Sequence, residues 1–115
     1  MKTFSVWAPR AERVELQLKD KRIAMTRGER GWHSVEADAA HGDDYAYILD
    51  GEGPLPDPRS PWQPEGVNGR SRVVDHARFA WSVDGFRAPP LSSAIIYEMH
   101  VGTFTPDGTF DAAID

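Results

Sequence analysis

Apolar and polar residues alternate along the first half of the chain with the period of two that a β-strand requires. Residues 3–9 place Phe4 and Val6 on one face and Ser5 and Trp7 on the other. Strand-like stretches recur at residues 13–18, 23–25, 32–37, 45–49 and 71–75. The alternation is clearest at residues 45–49, so we predict that this strand is central. Turn residues separate the stretches, as in an all-β protein.

The segment at residues 53–69 differs from these stretches because it contains five prolines. Proline removes a backbone donor and interrupts a regular ladder, so the pattern predicts a long loop from Gly53 to Gly69. A loop of this length in a small domain is usually functional or packed against another surface.

Seven or so short strands at these spacings predict a mostly β fold, an immunoglobulin-like antiparallel β-sandwich. We place this domain at residues 1–90. Residues 91–115 carry a different pattern: a nearly continuous apolar run at 95–101 predicts a strand buried on both faces, as in a parallel sheet. Thr109 is suited to cap a helix that follows.

Composition narrows the function classes. The chain has 115 residues, a formal net charge of −5 and no cysteine. We expect neither nucleic acid nor an anionic membrane as a partner, because the net charge is negative and the basic residues are scattered along the sequence. The four histidines lack metal-ligand spacing, so we expect no metal. A cytoplasmic location is the default for such a chain.

Four stretches together carry a family resemblance: "FSVWAPRAERVELQL", "YAYILDG", "PDPRSPWQPEGVNGRSRVVD" and "IIYEMHVGTFTPDGTFDAAI". The sequence resembles the amino-terminal region of the malto-oligosyltrehalose trehalohydrolases, glycoside hydrolases of the α-amylase superfamily. The resemblance implies an early-set sandwich, similar to glycogen-binding modules, at residues 1–90. It also implies that residues 91–115 begin the catalytic (β/α)₈ barrel, with its first strand and the start of its first helix. Asn68 departs from the family pattern, where we expect histidine, and Phe86 stands where we expect tryptophan.

The resemblance implies a non-catalytic fragment of an enzyme that hydrolyses the α-1,4 bond next to the terminal trehalose unit of maltooligosyltrehalose. Its partner would be the rest of the barrel, and the family's catalytic carboxylates would lie after later barrel strands. We therefore expect no catalytic, cofactor-binding or metal-binding residue in this chain. Two alternatives are a freestanding α-glucan-binding module and the corresponding domain of a glycogen branching or debranching enzyme.

The residues that we select as candidate contacts with substrate or with the barrel are Trp62, Asn68, Tyr97 and His100. Trp62 lies among prolines, and Tyr97 and His100 lie near the end of the predicted barrel strand, where active-face residues gather. An indole can stack on a sugar ring, but we assign Trp7, Trp32 and Trp81 to the core or to an interface. On that basis we expect free maltooligosaccharides to bind weakly or not at all.

Overall fold

The computed structural model describes residues 1–83 and 85–114, which form two compact units, Met1–Ala80 and Trp81–Asp115. Within these residues the chain forms eight strands and one short α-helix. In chain order they are β1 (Lys2–Trp7), β2 (Val14–Leu18), β3 (Lys21–Ala24), β4 (Thr26–Arg27), β5 (Trp32–Ala37), β6 (Asp44–Leu49), β7 (Glu52–Leu55), β8 (Ser71–Arg72) and α1 (Val101–Phe104). None of the helices in the described ranges is long and apolar enough to cross a membrane.

The first unit is a sandwich of two antiparallel sheets. One sheet has the order β1-β5-β4, and the other has the order β3-β2-β6, with β7 and β8 both pairing with the outer edge of β6. Every strand pair in the described residues is antiparallel. The sandwich predicted from the alternation is therefore confirmed, with β6 as the central strand of the larger sheet.

The core lies between the two sheets and is built from the alternate positions that the sequence pattern selects. Phe4 and Val6 of β1 face Leu16 of β2 and Tyr45 and Tyr47 of β6, and all five side chains are buried. The Phe4 and Tyr45 rings meet edge to face with their centroids 5.0 Å apart. The Tyr47 hydroxyl also donates a hydrogen bond to the Ser5 carbonyl, 3.2 Å away, which joins the two sheets.

The start of the predicted proline-rich loop is a strand, so this expectation was wrong at its first residues. Tyr47 pairs with Leu55 and Leu49 with Glu52, so Gly53 and Pro54 together oppose a single residue of β6 in a β-bulge. An edge strand tolerates proline at such a bulge because the missing N–H is not needed by the ladder. Gly53 has φ +138°, and a Cβ there would lie 2.9 Å from the Tyr47 carbonyl oxygen.

The backbone of the second unit also differs from the predicted strand and helix. The strand predicted at residues 95–101 is not formed: residues 94–100 have no regular structure, and Val101 begins α1. A strand of a parallel sheet needs paired neighbours, and none of the described strands pairs with this segment. Thr109 does act near the start of a short 3₁₀-helix, Asp111–Ala113, since its hydroxyl accepts a hydrogen bond from the Ala112 amide. The final predicted residue, Asp115, lies outside the described residues.

Hydrogen exchange measured residue by residue on a dilute monomer tests this difference between the units. We expect strong protection of the amides in β2 and β6, because both strands are paired on two sides. We expect little protection at residues 95–100, where no backbone acceptor is found within the described ranges. Equal protection of residues 95–100 and the central strands would show that this segment is part of a stable sheet.

Candidate ligand-binding surface

Trp62, the first of the predicted site residues, is half-buried and packs against two neighbours. The Arg72 guanidinium lies 5.1 Å from the centre of its ring, and the His41 ring lies 5.4 Å away. The Arg72 amide also donates to the Trp62 carbonyl at 2.8 Å. These contacts give Trp62 a packing role that holds the end of the proline-rich loop beside β8.

Arg72 is itself fixed by an ion pair with Asp44 of β6. Its guanidinium donates to both carboxylate oxygens of Asp44, at 2.6 and 3.0 Å. These hydrogen bonds are the main reason that the pKa of Asp44 lies below its ordinary value. The arginine that packs against Trp62 is therefore already bound to Asp44, and these contacts are structural.

The other three predicted site residues are exposed and belong to different units. Asn68 belongs to a turn of the first unit, next to Gly69. In the second unit the Tyr97 ring contacts Phe104 edge to face at 6.4 Å, and the His100 carbonyl accepts from the Thr103 amide at 3.0 Å. The roles assigned to Asn68, Tyr97 and His100 stay predictions.

Two tryptophans that the sequence reading assigned to the core or to an interface lie on the outer face of the smaller sheet. Trp7 of β1 and Trp32 of β5 are direct cross-strand partners, and their side chains are 59% and 38% exposed. Assignment to the core is therefore wrong for both, and burial in an interface stays a prediction. The alternation accounts for Trp7, because it lies on the same face of β1 as Ser5 and on the opposite face from the buried Phe4 and Val6.

The indole of Trp7 is held in one orientation by the turn before β5. Its Nε1 donates a hydrogen bond to the Arg30 carbonyl at 2.9 Å. Gly31 has φ +82°, and a Cβ at this position would lie 2.5 Å from the Cα of Pro9, so only glycine lets this turn pack so closely against Pro9, two residues after Trp7.

Arg59 reaches this face from the proline-rich loop. Its guanidinium carbon lies 4.9 Å from the centre of the Trp32 ring, a cation–π contact. The same guanidinium donates to the carbonyl and to the hydroxyl of Ser5, both at 3.0 Å. We call Trp7, Trp32 and Arg59 together the tryptophan surface.

Arg59 is positioned by the buried carboxylate of Asp57. The Asp57 oxygens accept hydrogen bonds from the Tyr45 hydroxyl and from the Arg59 amide, both at 2.9 Å. The Asp57 amide donates to the Ser71 hydroxyl, also at 2.9 Å. Burial and the contact with Asp57 raise the pKa of the Tyr45 hydroxyl above its ordinary range, so the phenol stays protonated as a donor.

The tryptophan surface is suited to binding rather than to acid–base chemistry. An exposed indole can stack on the apolar face of a pyranose, and a guanidinium can donate to sugar oxygens. Glycoside hydrolysis needs two carboxylates flanking the scissile bond. Among the described residues Asp57 is the only buried carboxylate, and no group of three histidine or acidic side chains there could hold a metal ion.

Solved structures share this architecture. The chain superimposes on a Salmonella typhimurium protein described as an alpha amylase with a TM-score of 0.81 and 39% identity, over 97% of this chain and 19% of that one. It also superimposes on a pullulanase from Bacillus acidopullulyticus with a TM-score of 0.56 and 24% identity, over 64% of this chain and 10% of the pullulanase. The second likeness shows the fold alone.

Curated relatives carry one shared name, malto-oligosyltrehalose trehalohydrolase. The chain is 48% identical to that of Arthrobacter ramosus over 96% of its own length, and 43% identical to that of Mycobacterium tuberculosis over its full length. It spans about a fifth of the length of each, since it covers 20% of both relatives. The predicted resemblance to the amino-terminal region of these enzymes is thereby confirmed.

A family model also matches the sandwich itself. The model of carbohydrate-binding module 48, described as the isoamylase N-terminal domain, matches residues 2–63, which is more than half of the 115 residues. The matched range contains the tryptophan surface. The chain therefore belongs to the carbohydrate-binding module 48 family.

Proposed function

We propose that this chain is the non-catalytic amino-terminal part of an enzyme that hydrolyses the α-1,4 bond next to the terminal trehalose unit of maltooligosyltrehalose. The observation that carries the proposal is the match of nearly the whole chain to about a fifth of the trehalohydrolases. The carboxylates support it as well. Asp57 is the only buried carboxylate among the described residues, and its oxygens accept hydrogen bonds from the Tyr45 hydroxyl and the Arg59 amide.

In this proposal residues 1–90 are the sandwich and residues 91–115 begin the catalytic barrel, whose remainder is the partner of this chain. Exposed apolar side chains in the second unit support that role. Ile95, Ile96 and Ile114 are 98%, 82% and 81% exposed, and burying such side chains is favourable by about 2 kcal/mol each. Tyr97 and His100 would then contact the barrel or its substrate. We propose the cytoplasm as the location of the enzyme.

The proposal that this chain is non-catalytic is tested by incubating the purified chain with maltooligosyltrehalose and measuring released trehalose. We expect no release above the buffer blank, because the reaction needs a pair of carboxylates and the described residues contain a single buried one. A sample with Asp57→Asn is the control for the single buried carboxylate and should behave identically. Turnover that follows the protein through a second purification would contradict the proposal, whether or not Asp57→Asn retains it.

A second candidate function is supported by the tryptophan surface: binding of α-glucan by the sandwich. This function agrees with the alternative of a glucan-binding module, and also with the corresponding domain of a branching or debranching enzyme. Trp7 and Trp32 are adjacent and exposed, and Trp7 is fixed by its hydrogen bond to the Arg30 carbonyl. A fixed aromatic platform loses little conformational entropy when a sugar stacks on it.

Calorimetric titration with maltoheptaose tests this second function. We expect weak but measurable binding, and we expect Trp7→Ala to reduce the affinity about tenfold, since aromatic stacking contributes about 1 kcal/mol beyond burial. Trp62→Ala is the matched control, because Trp62 is half-buried against Arg72 and His41. Binding that survives Trp7→Ala but is lost in a folded Trp62→Ala protein would place the glucan at the proline-rich loop instead.

A further inference from the structure

A depression borders the tryptophan surface at the edge of β1 that faces away from β5. It has a volume of about 310 Å³, and its rim is formed by Lys2, Thr3, Ser5, Arg59 and Pro61. Pockets that bind small molecules begin at about 300 Å³, so the space suits a single ring rather than a long chain. We call it the edge depression.

Two residues belong to both the edge depression and the face that carries the indoles. Ser5 lies on the outer face of β1, two residues before Trp7, and consecutive outward positions of a strand are about 7 Å apart. Arg59 donates to Ser5 while its guanidinium lies on the Trp32 ring. A ligand that stacks on Trp7 and extends along β1 therefore reaches the edge depression next.

The base of the edge depression is already formed and its hydrogen bonds are made. Tyr45 and Tyr47 line it from the core, and both are buried. The Tyr45 hydroxyl donates to the Asp57 carboxylate, and the Tyr47 hydroxyl donates to the Ser5 carbonyl. No buried group there has to be rearranged before a ligand enters, which lowers the cost of binding.

The rim, in contrast, offers donors that have no partner within the described residues. The Lys2 ammonium and the Thr3 hydroxyl make no hydrogen bond or ion pair there, and both residues are exposed. Arg59 uses only Nη2 for its contacts with Ser5, which leaves Nε and Nη1 unengaged. Lysine, threonine and arginine all donate to hydroxyl oxygens, and these three converge on one concave space.

The charges around the edge depression favour a neutral ligand. Lys2 and Arg59 are positive, but Asp57 lines the same space and the exposed Glu36 is the cross-strand partner of Thr3. Both signs border the site, so neither an anion nor a cation gains from the whole of it. A sugar ring, with its many hydroxyls and no charge, can use the free donors of the rim.

We propose that the edge depression is a second sugar subsite, which binds one glucose unit of the α-glucan whose neighbouring units stack on Trp7. Lys2 and Thr3 hydrogen-bond the hydroxyls of this unit, and Arg59 lies between the two subsites. This inference rests on the α-glucan binding proposed above and extends the same site along β1.

The test follows two signals of the folded chain by NMR while maltoheptaose is added: the Trp7 indole N–H and the Thr3 γ-methyl group. We expect both signals to shift and to give the same dissociation constant, because one glucan molecule occupies both subsites. The γ-methyl signal of Thr26 is the internal control. Thr26 is an exposed threonine of β4 in the same sheet, but it does not line the edge depression, so its signal should stay in place.

Variants measure what the rim contributes. Thr3→Val and Lys2→Met should each lower the affinity for maltoheptaose about fivefold, as the loss of one hydrogen bond provides. Valine is β-branched like threonine and suits a strand, and methionine keeps most of the lysine stem, so neither change should disturb β1. The matched control is Thr26→Val, which should leave the affinity unchanged.

The outcomes separate this inference from the function on which it rests. A shift of Trp7 with Thr3 unmoved at saturation would overturn the second subsite and leave glucan binding by the indoles standing. A shift of Thr3 with Trp7 unmoved would also overturn it, because the two subsites would then not share one ligand. If neither signal shifts, the result counts against the α-glucan binding itself. Unchanged affinity in both Thr3→Val and Lys2→Met would show that the rim makes no contact with the sugar.

Discussion

The buried carboxylate of Asp57 is the interaction on which the outer surface of the sandwich depends. A carboxylate removed from water is costly unless hydrogen bonds replace its hydration, and here the Tyr45 hydroxyl and the Arg59 amide do so. Tyr45 belongs to the central strand, so the start of the proline-rich loop is fixed directly to the core. Arg59, two residues later, is thereby brought to β1 and to the Trp32 ring. The loop is ordered by one buried group at its start, and Trp62 against Arg72 holds it further along.

Much of the sandwich could be predicted from the sequence, because each strand carries its own alternation. β2, β5 and β6 lie where the pattern places them. Burial of one face of a strand appears directly as the alternation of apolar and polar residues within that strand. The same alternation already separated Trp7 from Phe4 and Val6, and only the general tendency of tryptophan to be buried led to the wrong core assignment. β7 was missed because a bulge at Gly53 and Pro54 depends on the partner strand as well as on the residues that form it.

The grouping of Trp7, Trp32 and Arg59 could not be found in the sequence by any local rule. They lie on two strands and on the proline-rich loop, and they become neighbours only when β1 pairs with β5 and Asp57 fixes the loop. Residues 95–101 show the opposite case, since their apolar run has the composition of a strand but lacks an adjacent strand in the described structure.

The central claim is that ligand recognition belongs to Trp7 and Trp32 rather than to Trp62, and the indole N–H resonances of the tryptophans report on it directly. In a ¹H–¹⁵N spectrum recorded while maltoheptaose is added, the account predicts progressive shifts of the Trp7 and Trp32 signals. The Trp62 signal should stay in place, because its ring is already packed against Arg72 and His41. Shifts of Trp62 alone, with Trp7 and Trp32 unmoved at saturation, would contradict the account.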